Sequence, residues 1–124
     1  MARVAALVPD LLFGSRVQSA LAAAGHEVTL LAGPAQLAEL LEREAVAVVV
    51  VDLTDGALDG AGTLSALREE GNLREARSLA FYAHVEAETR ERALQAGFDL
   101  VVARSRMARE GAELVTRLAG QAGG

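Results

Sequence analysis

A chain of 124 residues has room for one domain with a proper core and is too short for two. Its net charge of −5, with every cation an arginine, excludes the clustered positive surface that nucleic acid or an anionic membrane requires. With no cysteine and no tryptophan, it has no disulfides, no thiolate metal sites and little with which to stack bases or sugars. From the first residues onward, RVAALV (3–8) reads as a strand stopped by Pro9-Asp10. Residues 11–24 read as a helix, with Phe13, Val17, Leu21 and Ala24 at helical spacing and Gly25 as its stop. HEVTLL (26–31) is a second, more amphipathic strand, and Gly33-Pro34 opens a helix whose buried stripe is Leu37, Leu40 and Leu41. Residues 46–51 form a third strand.

That third strand organises the rest. Seven successive small or β-branched apolar residues, 45–51, show no alternation, the mark of a strand buried on both faces in a parallel sheet. Asp52 ends the run, and so lies at the carboxyl edge of a central strand, where open α/β sheets collect ligands and chemistry. A short helix (63–70), a strand SLAFY (78–82), a helix (86–96) with Glu86/Arg90 and Glu88/Arg92 pairs, a strand FDLVVA (98–103) and a last helix (107–118) complete the chain. In that last helix Met107, Gly111, Leu114, Val115 and Leu118 face inward. Alternation of this kind predicts an α/β fold, a doubly wound (βα)5 three-layer sandwich. With right-handed crossovers its parallel five-stranded sheet takes the order 2-1-3-4-5. Residues 1–120 are expected to make this single domain, with 121–124 a frayed tail.

Two segments carry a family resemblance. VVVVDLTDGALDG (48–60) resembles the stretch of response-regulator receiver domains in which a phosphoacceptor aspartate ends strand three and a loop closes in Asp-Gly, here Asp59-Gly60. FYAHVEAETRERALQAGFDLVVARS (81–105) resembles the receiver stretch from strand four through an Ala-Gly-acid turn to the end of strand five. The resemblance implies Asp52 as the phosphoacceptor position and Pro9 and Asp10 at the acidic pair that helps to hold Mg²⁺. It places Tyr82 where a Thr or Ser bonds the phosphoryl group, and Arg104 where a Lys pairs with it. Val101 replaces the switch aromatic and Ser105 the following proline. Only Asp10 and Asp52 are retained, so Mg²⁺ is left with a weak site at those two carboxylates. The planar fork of Arg104 suits a carboxylate, and Asp52 is its expected partner. Tyr82 is expected to crowd the space a phosphoryl group needs.

The bland readings are set beside these. Asp10 is a natural N-cap for the first helix. His84, after strand four, reads as a solvent-facing loop residue more readily than as a general base, and His26 as a surface turn residue. DLTDGALDG fails the calcium-loop pattern, because Gly56 comes one place early and no Glu closes it. Gly56, Gly60 and Gly62 miss the dinucleotide fingerprint, and Gly14-Ser15 falls short of a phosphate loop. Of Leu11, Leu12 and Phe13, two are expected in the core and one exposed; the alternative is an apolar patch offered to a partner. The expected whole is a stand-alone, cytoplasmic, non-enzymatic receiver-like domain, free of membrane and nucleic acid, acting on a histidine kinase or downstream effector. A second copy through strand five and the last helix is a further candidate partner. The rivals are a conventional phospho-accepting receiver at Asp52 and a small-ligand-binding domain of the same fold.

Overall fold

The computed structural model describes residues 2–54, 57–83 and 87–121. Strands and helices alternate as β1 (Arg3–Leu7), α1 (Leu11–Ala23), β2 (Glu27–Leu31), α2 (Pro34–Arg43), β3 (Val48–Asp52), α3 (Gly60–Glu69), β4 (Arg77–Tyr82), α4 (Ala87–Ala96), β5 (Leu100–Ala103) and α5 (Arg104–Ala119). The strands pair in parallel in the expected order β2-β1-β3-β4-β5.

Side chains alternate across a strand, so the sheet deals its apolar residues to two helix layers. Val4, Ala6, Val48, Val50, Leu79 and Phe81 pack with α1 and α5 through Phe13, Val17, Leu21, Met107, Leu114 and Val115. Ala5, Leu7, Val49, Val51 and Ala80 pack with α2, α3 and α4 through Leu37, Leu41, Leu64, Leu67 and Ala93. β3 is buried along its whole length, which is why its sequence shows no polar alternation.

Several boundaries differ from expectation. β3 begins at Val48 and takes in Asp52 as its last residue. α3 begins at Gly60, because Asp59 caps it by accepting the Gly62 N–H at 3.0 Å. α5 begins at Arg104 without a side-chain cap, and its five expected inward residues are all buried. The Glu88–Arg92 pair does not form among the described residues; Arg92 reaches Asp59 at 3.4 Å and ties α4 to the start of α3. Glu86, and with it the other expected pair, lies outside the described residues. His26 is not a surface turn residue but is 7% exposed at the amino edge of the sheet. Among the described residues no helix is long and apolar enough to cross a membrane.

Candidate functional site at the carboxyl edge of the sheet

Parallel pairing brings the ends of β1, β3, β4 and β5 to one edge, and with them Pro9, Asp10, Asp52, Tyr82 and Arg104. Asp52 is 1% exposed. Its register partner on β4 is Phe81, whose carbonyl accepts the Leu53 N–H at 2.9 Å and holds the strand exit in line. The carboxylate turns back on its own chain, with Oδ1 accepting from the Thr54 N–H at 2.7 Å and from Thr54 Oγ1 at 2.6 Å. Thr54 is the site residue that sequence reasoning passed over. The signal was present as Asp-x-Thr, since an aspartate readily bonds the backbone two residues on.

Asp10 is the N-cap of α1. Its Oδ1 accepts from Leu12 N–H at 3.0 Å and Phe13 N–H at 3.1 Å, satisfying two orphan donors of the first turn. That cap drives Phe13 into the core and leaves Leu11 and Leu12 80% and 82% exposed. One of the three apolar residues is therefore buried and two are displayed, the reverse of the expected division.

Arg104 does not pair with Asp52. Its Nη2 lies 3.4 Å from Asp10 Oδ2, and its Cζ stands 4.3 Å above the centre of the Phe13 ring. The cause is its place at the first position of α5, which shares a core layer with α1. There an aromatic face and a half-exposed carboxylate are in reach, whereas beside Asp52 the guanidinium would lose its water. Phe13 is in turn held by Phe81, with ring centres 5.1 Å apart and tilted by 52°. The chain of contacts thus runs from β4 through α1 to the arginine.

This geometry sets the scale of a substitution. The Arg104 and Asp10 side chains are 41% and 48% exposed, so their ion pair contributes about 0–1 kcal/mol and the ring contact about 0.5–1 kcal/mol. Arg104→Ala should therefore lower stability by only about 1 kcal/mol in urea denaturation. A loss of about 3–5 kcal/mol would instead mark a buried partner such as Asp52.

Tyr82 ends β4 opposite Ala103, partly buried, and among the described residues no hydrogen bond joins it to Asp52. His84 lies outside the described residues. The donor set suits Mg²⁺ badly, since that ion wants near-octahedral oxygen ligation. Oδ1 of both Asp10 and Asp52 is already bonded to chain donors, Arg104 stands on the other oxygen of Asp10, and Pro9 adds no side-chain oxygen. No group of three or more His, Cys, Asp or Glu side chains fit to hold a metal occurs among the described residues.

No protein-family model matches the sequence, and no curated protein matches it. Solved structures do. The receiver domain of the Francisella response regulator 1452 is 18% identical, with a TM-score of 0.85 over 98% of each chain. The receiver domain of the sensor histidine kinase PA1611 from Pseudomonas aeruginosa, with magnesium in its active-site cleft, is 24% identical, with a TM-score of 0.84 over 96% of this chain and 98% of that one. The receiver domain of NarL from Mycobacterium tuberculosis is 25% identical, with a TM-score of 0.79 over 96% of each. The fold is that of the response-regulator receiver domains of two-component signalling.

Proposed function

We propose that this chain is an atypical receiver-like domain that works in signal transduction by binding another signalling protein, a histidine kinase or a downstream effector, without phosphorylation of Asp52. The observation that carries this reading is the position of Arg104. Among the described residues the one cation at the site is committed to Asp10 and Phe13, so the charge that would attract a phosphoryl group is turned away from Asp52. Three features support it. Asp52 is occupied by Thr54, Mg²⁺ lacks a fitting ligand set, and Tyr82 sets a bulky phenol where a short hydroxyl would be needed. The exposed pair Leu11 and Leu12, beside the Asp10–Arg104 contact, is the apolar surface such a domain would present.

The test is incubation with acetyl phosphate and MgCl₂ followed by intact-mass measurement. The expected result is an unmodified chain. A phosphate adduct that disappears in Asp52→Asn would establish the conventional phospho-accepting receiver instead.

A further inference from the structure

The opposite edge of the sheet holds a buried imidazole that the proposed function does not use. His26 immediately precedes β2, and its own N–H bonds the Leu21 carbonyl in the last turns of α1 at 3.1 Å. The ring Nδ1 accepts the Ala2 N–H at 3.2 Å, and Nε2 lies 2.8 Å from Thr116 Oγ1 on α5. A backbone N–H can only donate, so Nδ1 must keep its lone pair and the ring proton sits on Nε2, donating to the threonine. One neutral ring thus joins the starts of β1 and β2 to a helix 90 positions away in the chain.

The ring also lines a cavity of about 750 Å³ floored by Leu41, Val46 and Leu73 and closed on one side by Thr116, Ala119 and Gly120 of α5 and its end. The charged groups around it come from each neighbouring element. β1 brings Arg3, β2 brings Glu27, the end of α2 brings Glu44, and the approach to β4 brings Arg74 and Glu75. Arg3 is held by Glu27 at 3.3 Å and Glu44 at 3.7 Å, and among the described residues the imidazole nitrogens meet the Ala2 N–H and Thr116 Oγ1 and no carboxylate. α1 presents the apolar Leu21, and α5 presents the neutral Thr116, with Glu113 and Arg117 flanking it along the helix.

We propose that His26 is a proton-operated clasp: neutral, it fastens the last turns of α5 to the amino ends of β1 and β2, and protonated it lets the Ala2 N–H go, so that the start of β1 is unfastened while Nε2–H stays on Thr116. A proton on Nδ1 replaces the acceptor by a second donor facing the Ala2 N–H, so that hydrogen bond cannot survive. It also places a charge on a largely buried side chain. In keeping with this, burial first and the positive amino terminus second hold the His26 pKa below its ordinary 6.5. The sign follows from linkage. Above 6.5 neither folded nor unfolded chain carries the proton and the clasp contributes fully; as the pH falls from 6.5 through the lower folded value, the unfolded chain takes up the proton first and that contribution is lost.

The experiment is a pH titration of the ¹⁵N-labelled chain by NMR, following both histidine rings and the backbone amides. The expected result is a His26 midpoint below 6.5, with the amides of Ala2 and Arg3 at the start of β1 shifting at that same midpoint. In His26→Gln those amide shifts should be lost while the His84 signal titrates as before. Thr116→Val offers a milder variant should the first fail to fold: the Ala2 amide should still follow the His26 titration, because the Nδ1 bond is left in place. A His26 midpoint at or above 6.5, or an Ala2 amide indifferent to the His26 titration in the unaltered chain, would overturn the proposal.

Discussion

Replacing Phe81 with alanine is expected to cost about 3–5 kcal/mol, the largest loss of any single substitution near the site. Phe81 is fully buried in β4, one of the central strands, and its ring fills the layer between the sheet and α1 and α5. Truncation removes the transfer energy of the ring and leaves a cavity that a sheet paired on both sides cannot collapse to fill. It also removes the tilted contact with Phe13, about 0.5–1.5 kcal/mol of that total. For a domain of this size the thermal midpoint should fall by roughly 10–20 °C, measurable by circular dichroism. Phe81→Leu, which keeps most of the volume, should cost less than about 1.5 kcal/mol. Because the Phe13 ring also carries Arg104, the alanine variant should also free the guanidinium to move. A midpoint within a degree or two of the parent would mean that the aromatic pair does not support the site.

The second large effect is a gain. The combined variant Pro9→Asp, Tyr82→Thr and Arg104→Lys should acquire a phosphate adduct from acetyl phosphate and Mg²⁺ where the parent acquires none. Pro9→Asp supplies the second carboxylate of a Mg²⁺ site. Tyr82→Thr brings a hydroxyl back close to the strand and removes a ring. Arg104→Lys replaces a planar fork, matched to Asp10 and to an aromatic face, by a compact ammonium on a flexible stem that can reach toward Asp52. No single change should suffice, since each leaves one of the other two obstacles standing. Intact mass gives the readout, and Asp52→Asn in the same background should abolish the adduct. A folded triple variant that remains unmodified would place the block at Thr54, whose two bonds to Asp52 none of the three changes touches.

The fold was legible because its signals are local. Five unalternating positions in β3, the leucine stripe of α2 and the spacing of Met107, Leu114 and Leu118 each report burial within a few residues of themselves. Asp10 was legible as a cap for the same reason. What escaped depends on distant parts of the chain. The reading paired Arg104 with Asp52 because both stand at one sheet edge, but the choice between two carboxylates was made by Phe13, whose ring the fold alone brings beneath the guanidinium. His26 beside Gly25 has the local look of a turn; its burial comes from α5 packing over it, and nothing near it in sequence announces Thr116. The early start of α3 was hidden by Gly60 and Gly62, poor helix formers that a cap at Asp59 nevertheless recruits.

The short loop from Asp52 to Thr54 has a consequence for how such a domain could be governed. Under the proposed function the Asp52 carboxylate, bonded to a donor two residues along its own backbone, takes no phosphoryl group and keeps no record of an event elsewhere in the cell. Under the proposed function, information therefore cannot be stored on the chain as a covalent mark with a lifetime of its own. It resides in occupancy, which rises and falls with the amount of the domain and of its competitors, and which is erased as fast as the complex comes apart.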